Sequence, residues 1–224
     1  MYDQKSPTIF LDRTDELIDY GPAQERMLQS VQKIFDQQSL GSVWLLQHNH
    51  AYTAGTSADL SDVLSATSSI PIIKTNRGGK ITYHGPGQRI IYTMLNLKLI
   101  HGDKPDIRLF INQLEQWIIL TLSTLKVTCF KLEDLVGLWV NVRSEPHKIA
   151  SIGVRVSRWV TYHGIAVNID TDLAYFDNII PCGLVDSKAC SLKSLGLNIS
   201  IEEFDQALIA SFPQIFNINL TEAR

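Results

Sequence analysis

Two runs of short apolar segments, broken by glycine, limit what this chain can fold into. The first holds SVWLLQH (42–48), PIIKT (71–75), KITYHG (80–85) and RIIYTMLNL (89–97). The second holds VTCFK (127–131), LVGLWVN (135–141), KIASIGVRV (148–156) and VTYHGIAVNI (160–169). Segments of this length, rich in β-branched and aromatic residues and bounded by turn formers, read as strands. Helical spacing appears in three places. Ala23, Met27, Val31 and Ile34 form one stripe over 21–38. Pro105 is suited to the first turn of a helix reaching about Leu125, with Phe110, Leu114, Trp117 and Leu125 on its apolar face. Ser200 with Glu203 forms a capping box ahead of a helix at 201–212. Strands outnumber helices, so the fold class is α/β or α+β, with mixed β-sheets flanked by helices. No Pro/Gly/Ser-rich linker interrupts the sequence, and residues 1–224 read as a single domain.

A formal net charge of -3 gives no global attraction to nucleic acid or to an anionic membrane. The first residues lack the basic and apolar regions of a signal peptide. The longest apolar runs, such as WIILTL (117–122), are too short to span a bilayer. Cys129, Cys182 and Cys190 are sparse and odd in number, with no CxxC spacing, so neither a disulfide framework nor a structural zinc site is expected. The chain reads as reduced and cytoplasmic.

Three elements carry chemistry. Cys182 lies between Pro181 and Gly183, where a stiff approach and a permissive exit would aim its sulfur in one direction. Most lone cysteines are small buried thiols. Cys129, in a strand-like segment, and Cys190, in SKACSLKSL read as helical, fit that description. The second element, RGGKITYHGPGQ (77–88), is a β-turn-β unit dense in glycine, in which Gly78 and Gly79 allow close approach to the backbone. It is neither a Walker loop nor a dinucleotide fingerprint. The alternative is a tight hairpin with an incidental histidine. The third element, 148–169, begins with Lys148 and repeats the TYHG of 82–85 at 161–164, either by chance or because two strands bring like edges to one pocket. Lys148 would ordinarily be a solvated strand end. Burial would lower its pKa and let it act as a base.

Together these elements resemble the octanoyl-(acyl-carrier-protein):protein N-octanoyltransferases, or lipoyl(octanoyl) transferases. The family pattern looks like RGGxxTYHGPGQ, then KIxxxGxRxxRxxxxHGxAxN, then PCG, and the chain matches each motif in order. A weaker HxxxxTxG match falls on His48, Thr53 and Gly55. The resemblance covers about residues 42 to 195. It implies a biotin/lipoate protein ligase-like fold and a catalytic pair of Cys182 and Lys148. It also implies an acyl pocket lined by Arg77, Gly78, Gly79, Lys80, Ile81, Thr82, Tyr83 and His84, by a turn at Ser151, Ile152 and Gly153, and by a turn at Gly164, Ile165 and Ala166. The implied donor is octanoyl-acyl carrier protein. The implied acceptors are lipoyl domains of 2-oxoacid dehydrogenase E2 subunits and the glycine cleavage H protein. No cofactor and no metal are implied. Departures are Leu138 where valine is usual, His50 where proline is common, and a segment 141–147 that looks long.

Three other readings stand beside this one. An ATP-dependent lipoate ligase would share the fold but need no nucleophilic cysteine. A non-catalytic acyl-binding module would lack Cys182 or Lys148. A cysteine hydrolase would use His84 or His163 as its base. Arg77, Lys80, Arg143, Lys148, Arg155 and Arg158 are expected to form a local basic patch for an acidic protein partner.

Overall fold

The computed structural model describes residues 8–64, 69–133, 135–180 and 188–222. Strand β1 (Thr8–Ile18) leads into helix α1 (Tyr20–Phe35), then β2 (Gly41–His48), β3 (Ala51–Ala54), β4 (Ile72–Lys74), β5 (Ile81–His84) and β6 (Gln88–Leu95). A short helix α2 (Leu97–His101) and the long α3 (Ile107–Thr124) precede β7 (Phe130–Leu132), β8 (Leu135–Val142), β9 (Glu145–Ser157) and β10 (Val160–Asn168). The chain closes with β11 (Lys188–Ala189), α4 (Ile201–Phe216) and β12 (Asn219–Glu222). The large mixed sheet runs β12-β1-β2-β6-β10-β9-β8-β7, with β11 beside β9, and a small sheet runs β4-β3-β5.

The apolar runs of the central strands reflect burial on both faces. In β2 and β6, Val43, Leu45, Ile91 and Leu95 face a core shared with Phe110, Leu114 and Trp117 of α3 and Phe204, Leu208 and Phe212 of α4. Trp44, Leu46, Ile90 and Tyr92 face the other way, onto Ala23, Met27, Val31 and Ile34 of α1, which are the expected stripe. The capping box at Ser200 and Glu203 is present. Helix α3 starts later than expected. Asp106 caps it by accepting from the Arg108 and Leu109 amides, so Pro105 precedes the helix rather than opening it.

Other local expectations also change. Strand β1 carries three buried or partly buried apolar positions, Ile9, Leu11 and Ile18, among charged ones and has no clean sequence signature. Its parallel partners β2 and β12 hold it in the sheet. The turn at Pro86 and Gly87 joins two strands of different sheets, since β5 pairs with β3 while β6 pairs with β2 and β10. The 77–88 element is therefore no hairpin but a crossing from the small sheet to the large one. Segment 141–147 is no long loop. Val142 pairs with Glu145 across a two-residue turn in which Arg143 (φ 51°) and Ser144 (φ 72°) are both left-handed, the geometry that matches strand twist. Cys190 lies in no α-helix. It follows the two residues of β11 and precedes a short 3₁₀ turn at Lys193–Leu195.

Candidate active site

A cavity of about 220 Å³ opens on the α1 face of the large sheet. Strands β9 and β10 form its floor, the 77–84 segment covers it, and Tyr20 and Tyr92 close one side. The cover lies close because glycine meets glycine. The Gly78 amide donates to the Val154 carbonyl (3.1 Å), and a Cβ on Gly153 would stand 3.0 Å from the Gly78 oxygen.

The expected pocket residues Arg77, Gly78, Gly79, Lys80, Ile81, Thr82, His84, Ser151, Ile152, Gly153, Gly164, Ile165 and Ala166 all border this cavity, as does Lys148. Tyr83 does not. Alternation along β5 sends Thr82 and His84 to the cavity and Tyr83 to the opposite face. There it packs with Tyr52 and Phe176, stacks on Tyr175 (4.8 Å), and its hydroxyl bonds His50 Nδ1 (2.7 Å). The stretches 151–153 and 164–166 are not turns. They are facing positions on paired strands, with Gly164 opposite Gly153, Ile165 opposite Ile152 and Ala166 opposite Ser151. The repeated TYHG does bring two like edges to one place, because His84 and His163 both border the cavity. Cys182 lies outside the described residues.

Lys148 reaches the cavity through a break in the strand pattern. Trp139 pairs with Lys148, but the next residue back, Leu138, pairs with Ala150. Ile149 is thus the extra residue of a β-bulge, and Ile149 and Ala150 both enter the core beneath the sheet. Without the bulge, Lys148 would share the core-facing side of Ala150 and Ile152. With it, Lys148 turns to the face of Ser151 and Gly153, as bulges re-aim side chains elsewhere. Lys148 is 7% exposed. Its Nζ donates to the Val136 carbonyl (3.1 Å) and lies 5.1 Å from the centre of the Trp139 ring.

The described chain on either side of residues 181–187 is tied down, and on the far side it is tied to this lysine's own strand. The Ile180 amide donates to the Asp62 carbonyl (2.7 Å), Ala189 pairs with Lys148, and the Cys190 amide donates to the Lys148 carbonyl (2.9 Å).

A cluster of neutral polar rings lines one side of the cavity, with His48 packed behind them. Burial holds His48 down to about 4. Burial, with Arg77 nearby, holds His163 down to about 3. Burial, then His48 and Arg77, holds His84 well below the ordinary imidazole range. Burial pushes the Tyr20 and Tyr92 phenols up. Arg77, 7% exposed, donates to Thr53 Oγ1 and to the Gly78 carbonyl. His163 sits at φ 59°, a left-handed conformation uncommon outside glycine and found where surrounding structure enforces it. The expected basic patch is not one surface. Arg77 and Lys148 are buried in the cavity wall, Arg158 stacks on Phe35 (3.6 Å), and Lys80 faces Asp62 (3.9 Å). Sequence reasoning missed Tyr20, Ile90, Tyr92, Leu135 and Val136, which border the cavity from segments without motif character.

A mostly apolar cavity over a mixed sheet, with a buried lysine in its wall, defines a binding domain shaped for an apolar ligand. The model of the lipoyl protein ligase A/B catalytic domain matches residues 22–213. An octanoyltransferase of Ehrlichia chaffeensis is 47% identical over 200 residues, covering 89% of this chain and 92% of that one. One of Wolbachia pipientis wMel is 45% identical over 203 residues, covering 91% and 97%. Among solved structures, an archaeal bipartite lipoate protein ligase from Thermoplasma acidophilum superposes with a TM-score of 0.75 at 15% identity, covering 97% of this chain and 87% of that one. A biotin protein ligase from Aquifex aeolicus superposes at 0.54 and 13% identity, covering 94% and 70%. The fold is that of the lipoate and biotin protein ligases. The chain belongs to the octanoyltransferase family within the lipoyl protein ligase A/B catalytic domains, and it is an acyltransferase. Among the described residues, no helix is long and apolar enough to cross a membrane.

Proposed function

We propose that this enzyme takes an octanoyl group from octanoyl-acyl carrier protein, holds it as a thioester on Cys182, and passes it to a lysine of a lipoyl domain. The acceptors in this reading are the lipoyl domains of 2-oxoacid dehydrogenase E2 subunits and the glycine cleavage H protein. The observation that carries it is Lys148, a buried lysine turned into the acyl cavity by a bulge, whose own strand pairs with the backbone resuming after the Cys182 segment. The octanoyltransferase relatives support the acyl group.

Lys148 takes the Cys182 proton, and sulfur attacks the donor carbonyl. The C–S bond to the carrier breaks, and the carrier thiolate is reprotonated by Lys148. The acceptor amine then attacks the enzyme thioester, its surplus proton passes to Lys148, and Cys182 leaves as thiolate. A thiol of pKa about 8.5 is only a few per cent ionised at pH 7, so a base beside it raises the reactive fraction. Exchange between thioesters is near balance, and thioester to amide is downhill, so the reaction needs no ATP. The histidines favour lysine over a hydrolase-type base, since His84 and His163 are held too far down to retain a proton near neutrality.

The test is an intact-mass spectrum after incubation with octanoyl-acyl carrier protein, without ATP or magnesium. The expected result is a gain of one octanoyl group, released by hydroxylamine and lost in Cys182→Ser. An adduct that appears in Cys182→Ser at the normal rate removes the thioester assignment. Turnover that requires ATP and magnesium identifies a ligase instead.

A further inference from the structure

Three histidines cluster at the cavity, His84 and His163 bordering it, and their ring nitrogens are used differently. His48 has both engaged, Nδ1 with the Ile18 carbonyl (2.9 Å) and Nε2 with the Tyr92 hydroxyl (2.8 Å). His163 also has both engaged, Nδ1 with the Tyr20 hydroxyl (3.4 Å) and Nε2 with Asn76 Oδ1 (2.8 Å). His84 differs. Its Nδ1 meets Gln88 Oε1 at 2.7 Å, while Nε2 makes no hydrogen bond among the described residues, and His84 borders the cavity.

A chain of amides fixes which nitrogen carries the proton. The carbonyls of Cys190 and Tyr83 can only accept. Asn168 Nδ2 therefore donates to Cys190 (3.0 Å), which leaves Asn168 Oδ1 as an acceptor. Gln88 Nε2 donates to Asn168 Oδ1 (3.0 Å) and to the Tyr83 carbonyl (3.2 Å), so Gln88 Oε1 must accept. His84 Nδ1 is accordingly the N–H, and Nε2 holds a lone pair. Gln88 and Asn168 are a paired position of β6 and β10, 2% and 5% exposed, so the relay cannot flip its amides without orphaning a buried group.

The same relay is anchored beside Lys148, because Cys190 receives Asn168 on its carbonyl while its amide donates to the Lys148 carbonyl. Lys148 on β9 and Gln88 under His84 are two strand spacings apart, about 10 Å. Lys148 and His84 both border one cavity.

We propose that His84 Nε2 is a fixed hydrogen-bond acceptor that orients the attacking lysine amine in the second half of the reaction. The inference rests on the acyl transfer proposed above. A neutral amine attacking through its lone pair carries two N–H bonds into an apolar slot, and each needs a partner there. Lys148 takes the proton released as the C–N bond forms and the C–S bond to Cys182 breaks. His84 Nε2 accepts from the N–H that stays on the product amide. Its depressed basicity suits this role, since it accepts a hydrogen bond without taking the proton. The first half-reaction has less need of it, because the attacking sulfur belongs to the protein itself.

The experiment follows the two half-reactions separately in single turnovers of the full chain. Intact mass reads loading from octanoyl-acyl carrier protein, and product amide reads discharge to a lipoyl domain. In His84→Phe, discharge is expected to fall about a hundredfold more than loading, the scale of a misaligned nucleophile. In His84→Gln, whose side-chain oxygen can stand where Nε2 stood, most of that differential loss is regained. Equal discharge-to-loading ratios in His84→Phe and the unaltered enzyme overturn the proposal. So does an imidazole ¹⁵N spectrum of the unaltered enzyme in which His84 carries its proton on Nε2, a readout that needs no variant to fold. An unaltered enzyme that never loads overturns the transfer reading itself, a distinct result.

Discussion

Lys148 lies directly against the bare Cα of Gly137. A Cβ there would stand 2.7 Å from Lys148 Cε, 3.1 Å from Nζ and 2.7 Å from the Ala150 carbonyl. Gly137 also has φ 124°, where side chains are strained. The bulge turns Lys148 toward the cavity, and the empty space at Gly137 lets its stem lie flat. Gly137→Ala is therefore expected to displace the ammonium and to lower octanoyl transfer about a hundredfold. The strain should cost about 1–3 kcal/mol of stability. Transfer kinetics beside denaturant unfolding check this, and normal transfer in a folded Gly137→Ala would remove the steric account.

Lys148→Arg keeps a positive charge but cannot release a proton near neutrality. Cys182 should then remain reactive toward iodoacetamide while transfer is largely lost. Lys148→Ala should lose both, with the pH dependence of alkylation moving toward that of a free cysteine. The alkylation rate against pH for the three proteins decides it. An unaltered profile in Lys148→Ala would make the lysine a bystander.

The buried histidines make the fold acid-sensitive. Their folded pKa values lie below the unfolded value of 6.5, so the unfolded state binds more protons at intermediate pH. Stability from this source is complete above pH 6.5 and drains away as pH falls toward about 4 for His48 and about 3 for His163. Between pH 6.5 and 5 each should cost about 2 kcal/mol. Urea unfolding at both pH values measures the loss, and His48→Gln should flatten its share.

Arg89 on β6 forms a buried ion pair with Asp205 on α4, with side chains 2% and 3% exposed. Burial pushes the Asp205 carboxyl up against the pull of Arg89. Asp205→Asn leaves an uncompensated buried cation and should destabilise the chain by about 3–5 kcal/mol, whereas replacing both partners by apolar residues should recover most of it. Thermal unfolding of the single and double variants measures the difference.

The sequence by itself determined the element types in the long segments and most of the cavity's membership. Apolar periodicity exposed α1, α3 and the central strands because burial selects each residue one position at a time. The 77–88 and 148–169 motifs stood out because close backbone approach demands glycine. Tyr83 was misassigned because a motif names neighbours in sequence, while alternation on β5 sends neighbours to opposite faces. The turns expected at 151–153 and 164–166 proved to be paired strands for a similar reason: the glycines serve sheet-to-cover contact rather than chain reversal. Tertiary structure alone decided the rest. The bulge at Ile149 exists only in the register between β8 and β9, and it turns Lys148 from core to cavity. Tyr20, Tyr92 and Val136 join the site because separate elements pack around it. The proton position on His84 depends on two carbonyls distant in sequence, since a hydrogen-bond chain takes its direction from its ends.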